Sequence, residues 1–155
     1  MERYLEAVEI SVVASYLAAA FNNATSPFGV KKIRFLEAKV LCNVADSSNT
    51  RYYTIESRLD GEFKRFNVNS GVIVDFRPCL EAFAHFTYEH TKKYLLLTDI
   101  QGIENADEFV LTDSAIHCTD TLRFGKTNLG GRGILKCFLE NHKCNDICNN
   151  LGLRL

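Results

Sequence analysis

The chain has 155 residues, 46% hydrophobic and 24% charged, with 18 Lys plus Arg against 19 Asp plus Glu for a net charge of −1. That is enough apolar content to fill the core of one domain, and 2 prolines and 9 glycines exclude collagen-like or Pro-rich repeats. A balance near zero supplies no cationic excess for a phosphate backbone, so no nucleic-acid partner is expected.

Tyr4–Phe21 is predicted helical. Leu5, Val8, Val12 and Ala19 fall near helical spacing, Ala18, Ala19 and Ala20 favour helix, and Asn22, Asn23 and Ser26-Pro27 stop it. Its longest apolar run, Ile10–Phe21, is shorter than the ~18–20 residues of a membrane span, so no membrane partner is expected. Glu2, Arg3 and Glu6 are not the basic start of a secretory leader, and the chain reads as cytoplasmic.

Lys32–Cys42 is extended and rich in β-formers, Asp46–Asn49 is a polar loop, and Tyr52–Ile55 is a strand. Gly61–Asn69 is irregular and ends in the turn Asn69-Ser70-Gly71, with a short strand at Val72–Val74. Pro78 suits a first helical position, and Cys79–His90 follows as a helix. Tyr94–Thr98 and Phe109–Thr112 are buried strands. Gln101-Gly102 breaks the first, and Glu104–Glu108 is an acidic loop. After the glycine-rich Gly125–Gly133, Arg132–Glu140 and Asn145–Leu151 are helices. With strands early and helices late, the class is α+β.

Six cysteines in a reducing compartment read as thiols or metal ligands rather than disulfides. Cys42, Cys79, Cys118 and Cys137 lie in apolar contexts and read as small buried hydrophobes. Cys144 and Cys148 are four apart, so a helix puts both sulfurs on one face, with His142 just ahead. Thiolate and imidazole are the ligands zinc prefers, and a structural site takes four. The fourth comes from His85, His90, His117 or another thiol.

Two other places carry polar residues. Asp99 and Asp113 each end a buried strand, with Gln101 two residues beyond the first. One carboxylate there can accept a proton while another and an amide oxygen hold Mg²⁺, although such residues also cap turns. Gly125-Lys126-Thr127 ends like a phosphate-binding P-loop, but Asp120 stands where the required glycine belongs.

Taken in order, these segments resemble the alpha-kinase family, atypical Ser/Thr kinases that include the myosin heavy chain kinases and elongation factor two kinase. Phe83–Tyr88 resembles its "FSHFTY" helix, Leu97–Gly102 its "VVDLQG", and Leu111–His117 its "LTDPQIH" with Ser114 replacing proline. Phe124-Gly125 with Asn128–Gly130 resembles "FG..NLG", and His142–Cys148 resembles "HxCNxxC". Phe35–Leu41 and Glu56–Asn69 match further upstream, so the likeness covers nearly the whole chain.

The resemblance implies an alpha-kinase fold with a partial N-lobe sheet in residues 1–58 and a zinc-stabilised C-lobe in 59–155. It implies ATP, Mg²⁺ and structural Zn²⁺ as cofactors. Asp99 takes the catalytic-base position, and Gln101 and Asp113 the magnesium positions. Glu56 falls at the adenine-contacting hinge, and Asn69 and Asn128 fall beside the nucleotide. His85, His142, Cys144 and Cys148 are the zinc ligands, and a protein substrate lies along Gly125–Gly133.

Met1–Tyr4 align with the helix after the family's ATP-lysine strand, and no lysine precedes Lys31. The family's upstream strands are therefore expected to be missing, and the strand near Lys32 to show an apolar edge through which the chain aggregates or dimerises. Two functions follow: a Ser/Thr protein kinase, or a catalytically inactive, truncated pseudokinase serving as a zinc-stabilised binding module.

Overall fold

The computed structural model describes residues 1–44 and 50–155; the loop expected at Asp46–Asn49 lies outside the described residues. The first helix, α1, runs over Glu2–Thr25 and passes into a 3-10 turn at Ser26–Phe28, where Pro27 removes a helical donor. Together they are longer than the sequence predicts, and an 18-residue stretch within them reaches a mean hydropathy of 1.4, which suits a membrane span by length and composition. Ile10, Ala14, Leu17, Ala18 and Phe21 are instead buried in the main core of this domain. Phe21 meets Phe83 and Phe86 edge-on, with ring centroids 5.5 and 5.4 Å apart.

Eight short strands follow among the described residues: β1 Lys32–Phe35, β2 Lys39–Asn43, β3 Arg51–Ile55, β4 Lys64–Arg65, β5 Leu95–Thr98, β6 Gln101–Glu104, β7 Glu108–Thr112 and β8 Ala115–Cys118. They form a four-stranded sheet ordered β1-β7-β6-β4 and two separate pairs, β2-β3 and β5-β8. The segment expected as one strand, Lys32–Cys42, divides because β1 pairs in parallel with β7 while β2 pairs antiparallel with β3. Val72–Val74 makes only an isolated bridge, Ile73 to Asn67.

The outer edge of β1 is capped at Ile33. Asn22 on α1 donates from Nδ2 to the Ile33 carbonyl at 2.7 Å and accepts from the Ile33 N–H at 2.9 Å, replacing a strand partner. Exposed apolar surface lies instead on the β2-β3 hairpin, where Leu41, Tyr53 and Ile55 share one face. Cys42, on that open hairpin, is exposed and Cys137 is half-buried, whereas Cys79 and Cys118 are buried as expected.

The helix α2, Pro78–His90, is buried along most of its length. Beyond β8, the predicted helix at Arg132–Glu140 is one α-turn, α3 (Arg132–Ile134), continued by a π-turn at Leu135–Leu139. That wider turn seats Phe138 with Ile134 against Ala84, Tyr88 and Leu96 in a second core. The last helix, α4, spans Asp146–Asn150. Four strands thus fall between Leu95 and Cys118, so strands do not precede helices. A single main core runs from Ile10 to Cys148, across residue 58.

Candidate functional site

The run Leu95–Cys118 explains how two aspartates 14 positions apart come together. β5 pairs antiparallel with β8, Thr98 opposite Ala115, and β6 pairs antiparallel with β7, Gln101 opposite Thr112. The four strands make one long antiparallel ribbon that passes from one sheet to the next at its midpoint. Asp99-Ile100 and Asp113-Ser114 are the two sides of that crossover. Asp99 (φ 52°) and Asp113 (φ 50°) both have left-handed backbone there. Asp tolerates that region better than most residues, yet two such residues facing each other store strain, as at sites of function. Burial, with the negative charge of Asp113 adding to it and Arg65 opposing, raises the Asp99 pKa above the ordinary carboxylate value. Its Oδ1 is buried without a hydrogen-bond partner.

Gln101 belongs to a strand rather than a break because of Gly102. A Cβ there would stand 2.1 Å from the Val110 carbonyl oxygen, so β6 lies against β7 only with glycine at this position. Arg65 is the register partner of Gln101 across β4-β6. Its Nε and Nη2 donate to Gln101 Oε1 at 3.2 and 2.9 Å, and its Nε lies 3.6 Å from Asp99 Oδ1. Gln101 Nε2 in turn donates to the Asp113 carbonyl at 3.1 Å. Gln101, Asp99 and Asp113 are therefore one connected group with a cation already against it.

A cavity of about 240 Å³ between α1 and β1–β3 reaches Asp99, Asp113 and Glu56. A second, of about 380 Å³, shares Glu56 and Asp113 and adds Gln101 and Phe63. Glu56, just after β3, accepts a hydrogen bond from the Thr112 hydroxyl and spans both. The carboxylates thus border a cleft large enough for a small ligand. Gln101 Oε1 and the Asp113 carboxylate are hard oxygen donors on its wall, a set that suits Mg²⁺.

The other expected nucleotide contacts sit differently. Asn69 is exposed, and its backbone carbonyl faces His117. The Asn128 Oδ1 accepts from the N–H groups of Cys118 and Gly130 at 2.9 and 2.8 Å, while its Nδ2 donates to the Asp120 carbonyl at 2.9 Å. Its amide is engaged as a staple pinning the glycine-rich loop to β8. Asn67, which the sequence reading passed over, is buried, and its Oδ1 accepts the Ile100 N–H at 2.8 Å, holding the crossover. The available signal was its place two residues before Asn69 in a turn-forming run.

The second group gathers around His85 in the middle of α2. One ligand atom each from His85, His142, Cys144 and Cys148 falls within 4.8 Å of the others. Cys144 Sγ is 3.6 Å from His85 Nδ1, and Cys148 Sγ is 3.7 Å from His142 Nε2. Zinc bond lengths set at tetrahedral angles require sulfur–nitrogen edges of about 3.6 Å. Burial, then the neighbouring His85 ring, pushes His142 down to about 4, and burial lowers His85 and lifts the Cys148 thiol to about 11. Neutral imidazoles suit a metal, and the thiols would lose their protons to it. His90 and His117, the other candidates for the fourth ligand, are outside this group. Asn145 caps α4 by accepting from the Ile147 and Cys148 N–H groups, and donates to the Pro78 carbonyl at 2.9 Å. It ties the two cysteines to the start of α2.

Comparison with known proteins agrees with this architecture. The profile of the Alpha-kinase family matches residues 1–148. The chain is 41% identical over 157 residues to alpha-protein kinase vwkA of Dictyostelium discoideum, covering 99% of this chain and 25% of that protein. It superposes on the apoenzyme alpha-kinase domain of myosin-II heavy chain kinase A with a TM-score of 0.87 at 37% identity, covering 100% of this chain and 62% of that one. For the same kinase domain in complex with ADP the TM-score is 0.86 at 39% identity, with 99% and 59% covered. The chain thus spans a quarter of the length of vwkA and under two thirds of the solved kinase domain. This chain belongs to the Alpha-kinase family.

Proposed function

We propose that the chain transfers the terminal phosphoryl group of ATP to a serine or threonine hydroxyl of a protein. The observation that carries this is the crossover, which brings Asp99 and Asp113 to the wall of one cleft, with Gln101 bonded to the Asp113 carbonyl. Asp99 orients the acceptor hydroxyl and takes its proton as the hydroxyl oxygen bonds to phosphorus and the bond to the departing ADP breaks. Its raised pKa suits that task. Gln101 and Asp113 would hold Mg²⁺, which neutralises charge on the phosphates. Glu56 lies at the hinge toward the adenine, and Asn69 and Asn128 flank the nucleotide side. The protein substrate lies along Gly125–Gly133. The solved relative with ADP supports the nucleotide assignment.

His85, His142, Cys144 and Cys148 hold Zn²⁺ in a structural role, with no open position for chemistry. Residues 1–58 form part of an N-lobe and 59–155 a C-lobe, and the protein works in the cytoplasm. A second reading, a pseudokinase that serves as a binding module, is favoured by Arg65, whose guanidinium occupies the Gln101 oxygen that magnesium would need.

Mg²⁺-ATP titrated against the parent and Asp113→Ala decides between them. The kinase reading expects binding that the substitution weakens at least tenfold, together with transfer of labelled phosphate to a mixed protein substrate. Negligible binding by both proteins would overturn it.

A further inference from the structure

The crossover carries a hydroxyl that the fold itself does not use. Ser114 is 9% exposed, and its Oγ is buried without a hydrogen-bond partner among the described residues. A hydroxyl buried in that way destabilises the free protein, so its presence points to a partner that arrives from outside. Two other hydroxyls near it are already engaged. Ser11 donates to the Leu36 carbonyl at 2.9 Å, and Thr127 donates to the Phe124 carbonyl.

Asp113 is what turns Ser114 toward the cleft. In a regular strand consecutive side chains point to opposite faces. The left-handed backbone of Asp113 (φ 50°) breaks that alternation, and Asp113, Ser114 and Ala115 all border the cavity of about 240 Å³ between α1 and β1–β3. The charged groups beside Ser114 on that wall, Asp99 and Asp113, are acceptors when ionised. Ser114 therefore sets a neutral donor among anionic acceptors. A phosphate oxygen has lone pairs and no hydrogen, and it comes to rest beside carboxylates when a cation lies between them, as Mg²⁺ would at Gln101 and Asp113. Ser114 stands where the family motif has proline, a residue with neither a hydroxyl nor an N–H to give, so this donor is particular to the chain.

We infer that Ser114 is a nucleotide-binding residue whose hydroxyl donates to a phosphate oxygen of the bound nucleotide, beside the magnesium position at Asp113. The inference rests on the proposed kinase reading. It adds to that reading a contact made only when the nucleotide is present.

Titration calorimetry on the full chain tests it, with Mg²⁺-ATP and with adenosine, which has no phosphate. Ser114→Ala should weaken Mg²⁺-ATP at least about tenfold, as for a hydrogen bond to a charged group, and leave adenosine within about twofold of the parent. Without nucleotide the same variant should melt about 2–4 °C above the parent, because the unpaired hydroxyl is gone. Ser114→Thr, which keeps the hydroxyl, should hold Mg²⁺-ATP more tightly than Ser114→Ala does. A residue that merely packs the crossover would do the reverse, losing stability and weakening both ligands alike. Equal Mg²⁺-ATP affinity in the parent and Ser114→Ala would overturn the inference and leave the kinase reading standing. A Ser114→Ala chain that melts below the parent, or does not fold, would show that the hydroxyl serves the fold and would overturn the inference too. A parent that binds neither ligand would sink the kinase reading and the inference with it.

Discussion

The group His85, His142, Cys144 and Cys148 and the group Asp99, Gln101 and Asp113 are both small polar clusters built from distant stretches of chain, yet one is closed and the other open. In the first, the donor atoms face one another and two of the four residues are buried. In the second, the carboxylates border a cavity, the backbone is left-handed at both aspartates, and one buried oxygen lacks a partner. A closed donor set holds chain segments together, whereas an open, strained one is arranged for something that arrives later. Removing the first should cost the fold, and removing the second should cost the chemistry.

The largest effect expected is on the closed group. Purified protein should contain one equivalent of zinc by elemental analysis. A strong chelator, or Cys148→Ala, should lower the melting temperature by at least about 10 °C, because binding energy at a structural zinc is folding energy. Calorimetry on the full chain measures this. Unchanged melting after chelation would erase the contrast, since the cluster would then be only thiols and imidazoles in contact.

For the open group the pattern reverses. Asp99→Asn should cut phosphoryl transfer by about 10²–10⁴, the range for losing a general base, while leaving the melting temperature within about 3 °C. Asn accepts left-handed backbone as readily as Asp, and it removes a charge that burial disfavours. A collapse as deep as that of Cys148→Ala would mean that the crossover carboxylates are structural.

Much of this contrast was legible in the sequence, and the gaps have physical causes. The ends of buried strands marked Asp99 and Asp113, and nearness in sequence marked Cys144 and Cys148, although Cys144 precedes the Asn145 cap of α4 and so does not share a helix face with Cys148 as expected. β6 was hidden because glycine usually interrupts a strand, whereas Gly102 is what lets this one approach its neighbour. β8 was hidden because Ala115 and His117 give a four-residue run little strand signal. With β6 and β8 missed, the ribbon was invisible, and so was the reason the two aspartates meet. Asn67 escaped because its role depends on a hydrogen bond 33 residues away. Bringing His85 to the late cysteines required the family likeness, since local spacing left three histidines open.

Asn67 offers a smaller and sharper test, because it supports the open group without belonging to it. Asn67→Ala leaves the buried Ile100 N–H without its acceptor and should cost about 1–3 kcal/mol. Denaturant midpoints should fall accordingly, with zinc content unchanged. Transfer should also drop, because Ile100 is the residue next to Asp99 in the crossover. A variant that loses activity but no stability would place Asn67 against substrate instead.

The smallest effect expected comes from a third charged cluster that is neither closed around donors nor open on the cleft. Glu104, at the end of β6, accepts from Lys31 Nζ at 2.8 Å and from Arg77 Nε at 2.9 Å. The hydrogen bond from Lys31, and then that from Arg77, hold its pKa below the usual glutamate value against the opposing effect of burial. A carboxylate depressed in the folded state stabilises it fully above the unfolded value, and that contribution is lost as pH falls through the folded value. Glu104→Gln should therefore cost about 1 kcal/mol at pH 7, since partly exposed pairs are screened, and less at pH 3, below the ordinary glutamate value, where part of that contribution is already lost. Urea midpoints at the two pH values measure the difference. Neither zinc content nor phosphoryl transfer should move. A substitution here that abolished either would show that charge count, rather than closure or access to the cleft, governs what a polar cluster in this fold does.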